Sequence, residues 1–325
     1  MPAIQTAETI WARWNRKLQD YRINHFHNHV TSVLYHRVTR TERDTLKLAV
    51  SPETFDKHIK WYKSKYNIIT ADELADIIYN KKKIPAKSLL ITFDDGYADN
   101  YLEALPVLGS HKVPAIFFIT SSKLGTQELF WWDELELFAF TIEKLPAEIR
   151  IDDNEIVRTT DRNLLFNDIH QRLKYASLAQ RNFILENIRN QFPEAIQNRM
   201  DHRIMTIEEL KLFSSSPLVS IGAHTLNHVS LAVQEPAIQQ KEMSDNKAQL
   251  EAIIKKPVAY FAYPYGTTKD FNKTTLQLAA ETGFKLSFVN YHGFSNSGTH
   301  PHKIPRILIR DWDTEELSRQ LNKSF

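Results

Sequence analysis

Apolar residues in this chain fall into short unbroken runs separated by longer amphipathic stretches. Val30–Tyr35, Ser88–Phe93 and Ala115–Ile119 lack the alternation of a half-exposed strand, so they read as strands buried on both faces. Between them the period lengthens. Ser51-Pro52-Glu53 opens a helix with a capping residue, a proline in the first turn and an early acid, and that helix ends near Tyr66. A second helix spans about Ala71 to Asn80, and a third begins near Tyr97. The pattern resumes with strands at Leu218–Ile221, Val258–Ala262, Leu286–Val289 and Ile304–Arg310, and helices over 236–253, 271–282 and 313–322. Strand, helix, strand without a hairpin turn predicts parallel pairing through crossovers.

From roughly 125 to 213 the alternation stops. Trp131–Glu143 and 163–190 read as helices in a stretch rich in charged and amide side chains. The chain is therefore expected to be an α/β protein, a β/α barrel with a helical insertion. Ahead of the barrel, Ile10, Trp11, Trp14, Leu18 and Tyr21 lie at helical spacing among Arg13, Arg16, Lys17 and Arg22. The expectation is a helix packed on the domain. The alternative is an interfacial helix making loose peripheral contact with anionic lipid.

Composition narrows the classes. The 325 residues, 42% hydrophobic and 25% charged, suit a globular protein of two domains or one barrel with an insertion. Lys plus Arg number 41 and Asp plus Glu 39, for a net charge of +2, which argues against a nucleic-acid partner. The absence of cysteine excludes disulfides, thiolate metal sites and a cysteine nucleophile. The first residues lack the apolar core of a signal peptide, and no run of about 18 apolar residues occurs, so a cytoplasmic, non-spanning chain is expected.

Asp94-Asp95-Gly96 follows a buried strand directly, and the carboxyl ends of strands form the active face of β/α folds. Adjacent carboxylates leaving a strand diverge, so one can hold a metal while the other faces water, and Gly96 permits the turn. His224 and His228, just past Leu218–Ile221, are spaced i, i+4 and are expected on one helical turn, near enough to share an ion. One carboxylate plus two imidazoles leaves a coordination position for water, the catalytic rather than structural pattern.

Thr92-Phe93-Asp94-Asp95-Gly96 with His224-Thr225-x-x-His228 resembles the first two motifs of the NodB-type polysaccharide deacetylases. The resemblance covers roughly 30–125 and 214–310. It implies a distorted (β/α)7-type barrel forming a single catalytic domain over the chain, with a helical insertion at about 125–213. It also implies one divalent metal, zinc before cobalt or nickel, and hydrolysis of an acetyl group from an N-acetylated amino sugar. Carried over, Asp95, His224 and His228 bind metal and Asp94 is the general base. Tyr260-Phe261-Ala262-Tyr263-Pro264-Tyr265-Gly266 resembles the third motif, in which the backbone N–H at Tyr265 helps hold the oxyanion. The arginine usual two residues before the proline is Ala262 here. Arg306, on the last expected strand, is read as a surface salt-bridge partner rather than its replacement.

The family's late Leu-x-Leu-His motif is not visible. Leu34-Tyr35-His36, at the end of the first strand, is similar instead to the permuted arrangement of the poly-N-acetylglucosamine deacetylases, which makes His36 the general acid, with His302 as the fallback. His25, His27 and His29 are read as structural. Trp131-Trp132-Asp133-Glu134 is expected to pack in the core rather than against a sugar face. The expected partner is an N-acetylated sugar, small or lipid-linked, met inside the cell. Two other classes stay open: a metal-dependent phosphoester hydrolase, disfavoured by the lack of a Gly-rich phosphate loop, and a glycan-binding module on a decayed fold.

Overall fold

The structure is a computed structural model, which describes residues 29–146, 148–151, 155–192 and 202–322. The amphipathic stretch at 7–27, with His25, lies outside the described residues, as does His27. Its main element is an eight-stranded sheet in which every pairing is parallel. The strands are β1 (Val30–Tyr35), β2 (Asn67–Ile68), β3 (Ser88–Phe93), β4 (Ala115–Ile119), β5 (Val219–Ala223), β6 (Tyr260–Ala262), β7 (Leu286–Phe288) and β8 (Ile307–Leu308). Their order is β7-β6-β5-β4-β3-β1-β8, with the short β2 also paired to β3. Ile304 bridges Phe288 in parallel, and Ile307, three residues on, pairs with Val33. The stretch from Ile304 to β8 thus lies between β7 and β1 and curls the sheet into a distorted barrel.

Strand residues divide between two apolar clusters. Leu90, Ile116, Phe118, Ala262, Leu286 and Phe288 belong to one, with Leu74, Ile77 and Ile78. Leu89, Ile91, Phe93, Phe117 and Ile119 belong to the other, with the outer helices. This is the period-two division of a pleated strand with both faces buried. The outer layer comprises α1 (Pro52–Lys65), α2 (Ala71–Tyr79), α3 (Leu105–His111), then α4 (Trp131–Thr141), α5 (Arg162–Tyr175), α6 (Leu178–Gln191), α7 (Ile207–Ser215), α8 (Pro236–Ile254), α9 (Lys273–Glu281) and α10 (Thr314–Leu321). Ser51 caps α1 by accepting from the Thr54 N–H, with Pro52 in the first turn, as the sequence suggested. Among the described residues no helix is long and apolar enough to cross a membrane.

Several boundaries differ from the sequence reading. The helix expected over 163–190 is two, α5 and α6, because Ser177 and Gln180 form a reciprocal capping box that starts a new helix. The helix expected from Tyr97 begins as a π-helical turn at Asn100–Ala104 before α3. Helix α7 lies mostly within 125–213 yet leads into β5, so it serves as a barrel crossover. An antiparallel pair of two-residue strands, Ile149–Arg150 with Ile156–Val157, was not anticipated.

Candidate metal centre and active site

Strand register determines which residues meet. Tyr35 pairs with Phe93, so His36 and Asp94 leave neighbouring strands at the same level. Phe261 pairs with Ala223, which brings the segment after β6 beside His224. His36, Asp94, Asp95, His224, His228 and Tyr265 all line one cavity of about 330 Å³ at the carboxyl ends of the strands. Trp132, His170 and Lys174, from the helices between β4 and α7, line it too.

Asp95 and Gly96 both adopt positive φ, 79° and 95°. The positive φ of Gly96 favours glycine, and a Cβ there would sit tightly, 3.0 Å from the Ile119 side chain. The Asp95 Oδ1 atom lies 3.5 Å from His224 Nε2 and 3.4 Å from His228 Nε2. One ligand atom from each of the three residues falls within 4.8 Å of the others. The edge of a tetrahedron with metal bonds of about 2.0–2.1 Å is roughly 3.3 Å, so the spacing fits an ion between them. Asp95 Oδ1 is buried without a hydrogen bond, an acceptor that a cation would satisfy. His224 Nδ1 lies 2.7 Å from the Ala262 carbonyl, which only accepts. Nδ1 therefore carries the proton and Nε2 presents its lone pair toward Asp95. Burial pushes the His228 imidazole down to about 4 despite Asp95, leaving it neutral as a ligand must be.

The two histidines do not share a helical turn as expected. Thr225 and His228 take left-handed conformations, φ 63° and 50°, and the segment is an irregular loop. Such positions cost about 1–3 kcal/mol each and persist only when surroundings over-determine them. Here Glu242 on α8 accepts from Asn227 N at 2.8 Å and Asn227 Nδ2 at 2.7 Å, while its carbonyl accepts from Leu226 N.

Arg306 is not a surface residue. It is 1% exposed and grips Asp94 through both ends of its guanidinium, Nη1–Oδ1 at 2.6 Å and Nη2–Oδ2 at 2.8 Å. Its Nε donates to the Val289 carbonyl and Nη1 also to Thr92 Oγ1. Burial opposes ionisation of Asp94, but Arg306 outweighs it and holds the carboxyl below the usual range. The sequence reading missed this. The available signal was the alanine at position 262, whose small side chain leaves the arginine's usual place unfilled.

His36 is held through its carbonyl by Asn100 Nδ2 at 2.8 Å, and its Nδ1 is buried without a hydrogen bond. Burial lowers its pKa, against the pull of Asp95 and Asp94. His302, the fallback acid, does not line the cavity and pairs instead with Ser287 Oγ at 2.9 Å. Tyr265 has φ 60°, and its N–H donates no hydrogen bond among the described residues. Its ring meets that of His228 edge-on at 4.7 Å. Trp131 and Trp132 are core residues as expected, but Trp132 also forms a cavity wall, its ring 4.5 Å from that of His228. His29 packs on Phe294 at 4.2 Å.

The chain is similar to several known proteins. The chain is 29% identical over 313 residues to the poly-beta-1,6-N-acetyl-D-glucosamine N-deacetylase of Staphylococcus aureus, covering 92% of this chain and 85% of the relative. It is 21% identical over 278 residues to YxkH, a polysaccharide deacetylase homologue of Bacillus subtilis, covering 85% and 70%. IcaB from Ammonifex degensii has the same fold, with a TM-score of 0.62 at 19% identity, over 91% of this chain and 98% of that one. The Streptococcus pyogenes deacetylase PplD, in complex with acetate, gives 0.61 at 19% identity over 91% and 100%. The sequence model of the polysaccharide deacetylase family matches residues 81–287, more than half of the chain, and the chain belongs to that family.

Proposed function

We propose that this protein is a metal-dependent hydrolase that removes the acetyl group from an N-acetylated amino sugar, with Asp95, His224 and His228 as ligands of one divalent ion. The observation that carries the reading is one cavity holding a buried three-residue ligand set, an ionised carboxylate beside it and an imidazole at the neighbouring strand end. The relative from S. aureus that acts on a poly-N-acetylglucosamine supports the substrate class. Two imidazole nitrogens and one carboxylate as ligands favour zinc.

A divalent ion held there supplies Lewis acidity toward the acyl oxygen and lowers the pKa of water. Asp94, kept ionised and oriented by Arg306, accepts the proton of the attacking water. The Tyr265 N–H donates to the oxyanion that develops on the acetyl carbonyl. His36 gives a proton to the departing sugar nitrogen, since an amine leaves poorly as an anion. Acetate and a free amino sugar result. Trp132, His170 and Lys174 wall the cavity on the side of α4 and α5, which favours short or lipid-linked glycans over long polymers.

The test is an assay of acetate release from N-acetylglucosamine oligomers of graded length, beside a chromogenic acetyl ester and a chromogenic phosphate ester, with and without chelator. Chelator-sensitive acetate release, strongest on short oligomers, is expected. Hydrolysis of the phosphate ester alone would replace this reading with phosphoester chemistry, and no turnover on any substrate would reduce the protein to a glycan-binding module.

A further inference from the structure

The loop that presents His224 and His228 is irregular, so its backbone polar groups need partners from elsewhere. The barrel and its crossover helix supply most of them. His224 N donates to Ile119 O and Asn246 Oδ1, and His224 O accepts from Thr120 Oγ1. Leu226 O accepts from Ser122 N, and Glu242 takes the N–H groups of Leu226 and Asn227. The carbonyls of Asn227 and His228 are served differently. Arg181, on α6, donates Nη2 to Asn227 O at 2.6 Å and Nη1 to His228 O at 3.0 Å.

We propose that Arg181 is a positioning residue for the metal site: its guanidinium clamps the left-handed end of the ligand loop and so makes the helices between β4 and α7 part of the cation-binding apparatus of the barrel. Arg181 is 5% exposed, and no carboxylate among the described residues lies within ion-pair distance of it. A buried guanidinium without a carboxylate is costly, and the two carbonyl dipoles are what it faces. A planar fork spans two successive carbonyls, whereas a lysine ammonium is a point donor. Its backbone lies in the first turn of α6, where Arg181 N donates to Ser177 O at 2.9 Å. The same helices also reach His228 through Trp132, whose ring lies against the imidazole. His228 is thus held at its carbonyl by Arg181, with a longer bond from Tyr265 Oη at 3.4 Å, and at its ring by Trp132 and Tyr265, with φ at 50°. Losing the clamp lets the residue relax toward right-handed conformations that carry Nε2 away from Asp95.

This inference rests on Asp95, His224 and His228 being a cation site, and the experiment separates the two. Co²⁺ is titrated into metal-stripped full chain against a competing chelator, and its visible spectrum is recorded for wild type, Arg181→Met, Arg181→Lys and Arg189→Met. Arg189 lies on the same helix but pairs with Glu134 at 2.5 and 2.7 Å, so its loss perturbs α6 without touching the loop. Expected are a fall in Co²⁺ affinity of about 10–100-fold for Arg181→Met, as for other residues that orient ligands, a smaller fall for Arg181→Lys, and an unchanged value for Arg189→Met. The tetrahedral cobalt bands should weaken or shift only in the Arg181 variants. Wild-type affinity and spectrum in Arg181→Met would overturn the proposal, as would an equal loss in Arg189→Met. If Arg181→Met does not fold, Arg181→Lys against Arg189→Met decides. Failure of the wild type to bind Co²⁺ would instead remove the cation site itself.

Discussion

Arg306 and Asp94, 212 residues apart in sequence, form a two-pronged ion pair inside the barrel at 2.6 and 2.8 Å. The arginine comes from the strand segment that lies between the two ends of the sheet, so barrel closure and orientation of the proposed base are one event. Removing the guanidinium leaves a carboxylate buried without its partner, which costs about 3–5 kcal/mol. Arg306→Leu is therefore expected to lower the unfolding free energy by about that amount. It should also abolish turnover, since Asp94 loses both its aim and its charge. Arg306→Lys keeps the charge and one contact, and should retain fold and a fraction of activity. Chemical denaturation beside the deacetylase assay checks both. An Arg306→Leu chain with wild-type turnover would refute the assignment of Asp94 as an arginine-oriented base.

The ligand set makes a separate prediction. Asp95→Ala, His224→Ala and His228→Ala should each leave the chain without tightly held metal, and chelation of the wild type should abolish acetate release, restored by Zn²⁺ or Co²⁺. Metal analysis after dialysis provides the measurement. A variant that keeps about one ion per chain would strike that residue from the set.

The barrel strands were legible because they are local. Val30–Tyr35, Ser88–Phe93 and Ala115–Ile119 are apolar runs whose ends match the observed strands. The break at Ser177 was missed: Ser177 and Gln180 form a capping pattern, but the continuous charged stretch hid it. Arg306 was not legible. Whether it points to solvent or into the barrel depends on the pairing of Val33 with Ile307, a contact across the whole chain that local pattern does not encode. The pairing of His224 with His228 was inferred through helical geometry that is absent. Left-handed residues, pinned by Glu242 from α8, bring the imidazoles together instead.

Stability should decline as the solution is acidified below neutrality. Burial lowers the pKa of His58, and pushes that of His302 down to about 4. His58 Nε2 donates to the Trp312 carbonyl at 2.7 Å, so its Nδ1, 3.0 Å from Tyr35 Oη, is the unprotonated nitrogen. In the unfolded chain both rings titrate near 6.5. Between about 6.5 and 4 the unfolded state therefore binds more protons, and stability falls with falling pH. Above about 7 neither group contributes a slope. Thermal midpoints at a series of pH values should show this decline, and His302→Asn, which keeps an acceptor for Ser287, should make it shallower. A midpoint unchanged from neutral pH to 4.5 would contradict the argument.

His36 permits the sharpest separation of chemistry from structure. It leaves β1 level with Asp94, lines the same cavity, and has a buried ring nitrogen with no hydrogen bond of its own. General acid catalysis contributes typically about 10²–10⁴-fold where the leaving group needs a proton. His36→Ala should lower turnover on an N-acetyl sugar by about that factor while metal content stays unchanged. An activated acetyl ester, whose leaving group departs as a stable anion, should lose far less. A merely structural histidine would behave otherwise: its removal would lower the thermal midpoint and reduce both activities together. Equal losses on amide and ester would therefore deny His36 the role of acid. Nor would His302 inherit it, since that ring is tied to Ser287 and stands outside the cavity.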